Sequence, residues 1–113
     1  MNGPIRIFPQ LKPYAWGDSR FIQELLELSG YEGPCAEAWF GAHPNDPALV
    51  GDNKTPLNVF LTQNANTYLG STKDFDRTEL TYLLKILAAA RPLSIQVHPN
   101  KKQAEAGFAL EEQ

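Results

Sequence analysis

The stretch Leu93-Ser94-Ile95-Gln96-Val97-His98-Pro99 constrains this chain more than any other, because apolar and polar side chains alternate along it with period two. Such alternation predicts a half-buried β-strand, with Ser94, Gln96 and His98 on one face and Leu93, Ile95 and Val97 on the other. A hydroxyl, a carboxamide and an imidazole in a row are a poor choice for a core face. They suit a face that lines a pocket.

Around this stretch the chain divides into short elements. Ile5-Arg6-Ile7-Phe8 predicts a strand closed by Pro9. Asp18 or Ser19 is placed as a helix N-cap, followed by Phe21, Ile22, Leu25, Leu26 and Leu28 at helical spacing and by Gly30 as the stop. Ala36–Gly41 predicts a second strand, in which aromatics alternate with small residues, and 42–47 a loop. Thr55-Pro56 predicts an N-cap with proline in the first helical position, ahead of a face made by Leu57, Phe60, Leu61, Asn64 and Tyr68 up to Gly70. Residues 71–78 are polar and are expected to be a connection. For 83–90, intrinsic propensity favours helix, whereas a buried strand fits the short apolar run equally well. At the end, Asn100 and Gln103 form a capping-box pattern that opens a final helix.

Composition mainly excludes. A chain of 113 residues with 42% hydrophobic and 20% charged content is an ordinary globular domain, and one domain at most. The net charge of -3 arises in residues 1–56, with 4 basic and 7 acidic side chains, while 57–113 carry 6 and 6; neither half is a basic patch, so neither nucleic acid nor a membrane surface is expected as a partner. The single cysteine, Cys35, has no internal disulfide partner, and the N-terminus lacks a signal pattern; both fit a cytoplasmic location. Cys35 is expected to be a buried, unreactive thiol.

Several residues are chemically suggestive. Gln96 and His98, two apart on a strand, can converge on one zinc ion, but zinc takes three or four protein ligands, and spacing alone favours a hydrogen-bonded polar face. A hairpin of 83–89 with 93–98 would set Lys85 opposite Gln96 and Leu87 opposite Ser94, placing an ammonium beside the row and suiting an anionic ligand such as a phosphate. Without that register Lys85 is a solvated edge lysine. Glu37 and Trp39 share a strand face, and Glu37 has the chemistry of a general base or a hydroxyl acceptor. Trp16 and Trp39 are either sugar-stacking platforms or core aromatics, with core the default. His43, before a proline, is expected to cap a turn.

Three segments, in order, carry a resemblance. Tyr14-Ala15-Trp16-Gly17, then Ala36-Glu37-Ala38-Trp39-Phe40-Gly41-Ala42-His43-Pro44, then Leu83–Leu87 with Leu93–Lys101, resemble the type I phosphomannose isomerases. The second is similar to that family's Ala-Glu-Leu-Trp-Met-Gly-Thr-His-Pro segment. The resemblance decides 83–89 as strand. It implies a mainly β fold with helices (α+β), part of a cupin jelly roll, with 1–113 the N-terminal part of a longer isomerase domain. It implies a zinc cofactor held by Gln96 and His98, and a phosphorylated hexose bound near Trp16, Glu37, Lys85 and Ser94. The implied reaction interconverts mannose 6-phosphate and fructose 6-phosphate by moving a proton between C2 and C1 through an enediol. No catalytic base is assigned.

The family's further zinc ligands, a glutamate in an Asp-Asn-His-Lys-Pro-Glu segment and a later histidine, have no counterpart in this chain. The chain alone is therefore expected to be inactive. Two other function classes remain open: a non-catalytic cupin-like sugar-phosphate-binding module, and an assembly protein that self-associates through open sheet edges.

Overall fold

The computed structural model describes residues 3–70 and 80–112. Among the described residues the chain forms two small antiparallel sheets, whose strands interleave in sequence, and four helices. The strands are β1 (Ile7–Phe8), β2 (Gln10–Lys12), β3 (Glu37–Phe40), β4 (Leu49–Val50), β5 (Thr55–Pro56) and β6 (Leu84–Leu87); the helices are α1 (Phe21–Leu25), α2 (Leu57–Gln63), α3 (Ala65–Tyr68) and α4 (Lys101–Glu111). One sheet runs β1-β4-β5 and the other β2-β3-β6. The fold is thus mixed α+β, and among the described residues neither sheet closes into a barrel. The connection expected over 71–78 lies outside the described residues. No helix among the described residues is long and apolar enough to cross a membrane.

The second sheet is built by alternation. Its register pairs Lys12 with Glu37, Leu11 with Ala38 and Gln10 with Trp39 on one side of β3, and Glu37 with Leu87, Ala38 with Ile86 and Trp39 with Lys85 on the other. Directly opposed residues share a face. Leu11, Ala38, Phe40 and Ile86 therefore turn inward, where they pack with Ile22, Cys35, Leu26 and Tyr31. Glu37, Trp39, Lys85 and Leu87 lie on the opposite face.

Around the first sheet a second core forms from Ala48, Val50, Leu57 and Leu61, with Ile7, Phe60 and Tyr68 packed against it. Fully burying leucines such as Leu57 and Leu61 contributes roughly 1.5–3 kcal/mol each. This is the helical face expected from 57–68, interrupted at Asn64, whose φ of -128° separates α2 from α3.

The sequence expectations need four local corrections. Residues 93–99 make no β-ladder, and β6 pairs with β3 instead of folding back on them as a hairpin. Lys85 therefore stands opposite Trp39, not Gln96, and Leu87 opposite Glu37, not Ser94. The physical reason lies in what surrounds the stretch: Ile95 is 98% and Val97 90% exposed, so no apolar layer rewards their pairing. Pro56 belongs to β5, paired with Leu49, so α2 starts at Leu57 and Thr55 does not cap it. Finally, α1 ends at Leu25, short of Gly30, because Glu27 takes a left-handed φ of 52° that turns the chain.

The N-cap position of α1 is Arg20, not Asp18 or Ser19, yet the Asp18 carboxylate still accepts hydrogen bonds from the backbone N–H groups of Phe21 (2.7 Å) and Arg20 (2.9 Å), and these bonds hold its pKa below the ordinary aspartate value. At α4, the Asn100 side chain accepts from the Gln103 N–H at 2.9 Å, and the Gln103 side chain accepts from the Asn100 N–H at 3.1 Å. Because none of the α4 residues is buried, this reciprocal cap carries much of the helix's local stability. Asn100→Ala is expected to destabilise α4 by about 1 kcal/mol, seen as faster amide exchange confined to residues 101–111. Unchanged exchange there would show that other contacts hold the helix.

Candidate functional site

Where the polar row goes is decided by a stitch of backbone hydrogen bonds at the end of the second sheet. The Asp18 N–H donates to the Ala88 carbonyl (2.9 Å), the Cys35 N–H to the Asp18 carbonyl (3.0 Å), and the Ala90 N–H to the Trp16 carbonyl (2.8 Å). Gly17 is what allows this approach: a Cβ built there would lie 2.4 Å from the Ala36 nitrogen. The stitch sets Trp16 beside the end of β6, just before the chain enters 93–98.

There a cleft of about 610 Å³ is lined by Trp16, Glu37, Leu87, Leu93, Ser94, Gln96 and His98. Ser94, Gln96 and His98 face one side of their segment although no ladder fixes it, while Ile95 and Val97 stand in solvent. The alternation thus selects a pocket-lining face, as the sequence suggests, without forming the strand that it predicts.

Glu37 is 8% exposed and opens onto this cleft. Lys12 is its cross-strand partner, yet the Lys12 ammonium is drawn to Asp46, with which it forms an ion pair. Among the described residues Glu37 therefore has no cation within ion-pair reach, and its carboxylate remains available as an acceptor. Leu87, opposite Glu37, gives the cleft an apolar wall beside the carboxylate.

Not every expected residue converges. Lys85 does not line the cleft; its ammonium lies 4.5 Å from the Trp39 ring centroid, one rung further along the same sheet face. Trp39 is half-buried on that face rather than in the core. His43 accepts a hydrogen bond from the Asn45 N–H at 3.2 Å, the turn-capping role expected of it. The Cys35 thiol is buried, and that burial pushes its pKa up, leaving it a poor nucleophile. Sequence reasoning missed Leu93 as a wall, because alternation puts it on the face opposite the polar row, and it missed the Lys12–Asp46 pair; Leu87 it brought beside Ser94 only through a hairpin that does not form.

His98 offers an imidazole, a common zinc donor, and Gln96 a carboxamide oxygen, a rare one, and neither side chain is hydrogen-bonded to a described residue. Among the described residues no group of three histidine, cysteine, aspartate or glutamate side chains could hold a metal ion. The donor set thus suits zinc chemically but amounts to half a tetrahedral shell. A second cavity, about 590 Å³, lies between the 42–44 loop, α2 and residues 80–83, where His43, Asn58, Thr62 and Gln63 line it beside Val59, Leu80 and Leu83.

Comparison with known proteins points in one direction. Residues 5–113 match the family model described as phosphomannose isomerase type I, catalytic domain. Mannose-6-phosphate isomerase of Salmonella typhimurium is 36% identical over 110 residues, covering 94% of this chain and 28% of that protein. The human mannose-6-phosphate isomerase is 33% identical over 115 residues, covering 88% and 27% respectively. A crystal structure of the Salmonella typhimurium enzyme bound to its substrate and to zinc superposes with a TM-score of 0.78 at 37% identity, covering 96% of this chain and 28% of that one. The chain therefore spans little more than a quarter of the length of these relatives.

Proposed function

The chain belongs to the type I phosphomannose isomerase family, and on that premise we propose that it supplies one wall of a zinc-dependent site interconverting mannose 6-phosphate and fructose 6-phosphate. The observation that carries this reading is the meeting of Trp16, Glu37, Ser94, Gln96 and His98 around one cleft. In the same reading, the two open sheets are part of a cupin jelly roll.

Each side chain then has a task that its chemistry suits. Gln96 and His98 would hold zinc from one side. When bound, the metal supplies Lewis-acid stabilisation of negative charge developing on the sugar's oxygens. Ser94 can donate to or accept from a sugar hydroxyl, and Glu37, lacking a cationic partner, accepts from another. Trp16 offers an apolar surface to the sugar's C–H groups. Lys85, one rung from Glu37, is assigned to the phosphate. Together these contacts would orient the C1–C2 bond, so that a proton leaving one carbon is returned to the other through the enediol.

The test is direct. The zinc-loaded protein that carries this chain is expected to convert mannose 6-phosphate to fructose 6-phosphate in a coupled assay, and to lose that activity to a chelator. Sugar-phosphate binding that survives the chelator, with no turnover before it is added, would replace this reading with a non-catalytic binding module.

A further inference from the structure

One group on the polar sheet face is left unused by the cleft. Trp39, in the central strand β3, meets two ammonium groups, one from the strand on each side. Lys12 of β2 lies 4.3 Å and Lys85 of β6 4.5 Å from its ring centroid. The two lysines differ in what else they touch. Lys12 is only 12% exposed and is ion-paired with Asp46, so its charge is locally cancelled. Lys85 has no carboxylate within ion-pair distance among the described residues, and the indole is what holds it. The Trp39 Nε1–H is buried with no acceptor among the described residues, so the ring is kept in place by its neighbours rather than by a hydrogen bond of its own.

A carboxylate partner fixes a lysine but consumes its charge, whereas the face of an indole fixes it and leaves the charge intact. A lysine stem is flexible, and ordering it at the moment of binding costs affinity. Docking the ammonium on Trp39 beforehand removes much of that cost. Lys85 and Glu37 are also one rung apart on one face, about 7 Å along the strand direction. A hexose phosphate spans such an offset with its ring hydroxyls at one end and its phosphate at the other.

We propose that Trp39 is a positioning residue for phosphate recognition: it pre-docks the Lys85 ammonium as a fixed, uncancelled charge, with the Lys12–Asp46 pair bracing the ring. This rests on the reading of Lys85 as the phosphate's partner.

The experiment measures the Kd of mannose 6-phosphate and of unphosphorylated mannose by calorimetry on the zinc-loaded protein that carries this chain. Lys85→Met is expected to weaken mannose 6-phosphate about tenfold or more and to leave mannose unchanged. Trp39→Leu is expected to weaken the phosphorylated sugar about 3- to 10-fold, Trp39→Phe less, and the Trp39→Leu/Lys85→Met pair no more than Lys85→Met alone. A series of fluorinated tryptophans placed at position 39 keeps the ring's shape while draining its negative face, so a variant that fails to fold does not decide the matter. Affinity for mannose 6-phosphate should fall stepwise with fluorine number. If Lys85→Met weakens binding but fluorination does not, and the two single losses add, the positioning role is overturned while the reading of Lys85 stands. If Lys85→Met leaves the phosphorylated sugar unaffected, both fall.

Discussion

If His98 is a zinc ligand as proposed, His98→Ala is expected to strip zinc from the protein that carries this chain. Removing even an outer-shell partner of a metal ligand costs about 10- to 100-fold in affinity, so losing the ligand itself should cost about 100-fold or more. The reason is geometric as well as chemical. His98 and Gln96 present their donors from one side of a single short segment, so the loss of the imidazole leaves one weakly donating carboxamide on this wall. Gln96→Ala should weaken metal less, because an amide oxygen is the poorer donor. Ile95→Ala, preceding both in sequence but 98% exposed and turned away from the cleft, is the internal control and should retain full metal content. Metal analysis after dialysis, with isomerase activity measured in parallel, reads all three. Stoichiometric zinc in His98→Ala would remove the imidazole from the metal site.

Gly17→Ala is expected to be the most destabilising single methyl added at any described glycine. The new Cβ would lie 2.4 Å from the Ala36 nitrogen, 2.6 Å from its Cα and 2.8 Å from the Cys35 carbonyl carbon. All three are backbone atoms of a segment that leads into β3, so no side-chain rotation relieves the clash. The chain must instead open the bridges that pair Gly17 with Ala89 and Asp18 with Cys35. Overpacking of this kind costs typically about 1–3 kcal/mol, and the absence of any flexible neighbour places Gly17→Ala at or above the top of that range. Against a typical total stability of about 5–15 kcal/mol, the effect is large. It should also disturb the cleft, because the same bridges set Trp16 beside β6. Gly41→Ala makes the comparison. Its nearest neighbour, at 2.5 Å, is the end of the Leu83 side chain, which can move, so the loss should be smaller. Denaturant midpoints rank the two, and a Gly17→Ala midpoint equal to the parent's would refute the close approach.

The parts of this molecule that sequence made legible are those whose cause is local. The Asn100–Gln103 box is closed within four residues, and it forms as read. The Asp18 bonds to the first turn of α1 and the His43 turn also depend only on near neighbours, although the N-cap position itself falls at Arg20. The strand at 37–40 follows from alternation between aromatics and small residues, and the helical face of 57–68 from its apolar spacing. For 84–87, propensity pointed to helix, and only likeness to a family chose strand; lysine and leucine there answer to β3, not to their own preference.

The candidate site divides along the same line. Side-chain chemistry and period two mark Ser94, Gln96 and His98 as one row, because alternation is a property of consecutive residues; only the family resemblance adds Glu37 and Trp16 to it. Which strand lies beside which is not. Register is set by distant partners, and a pairing of β6 with β3 instead of with 93–98 moves Lys85 from the row to the Trp39 ring. The ion pair that frees Glu37 joins Lys12 to Asp46, 34 residues apart, and no local pattern announces it. The polar row at 93–99 was thus written in the chain as a face with a chemistry. The cleft it faces, the carboxylate opposite and the docked lysine one rung away came only with tertiary structure, because long-range pairing decides which faces meet.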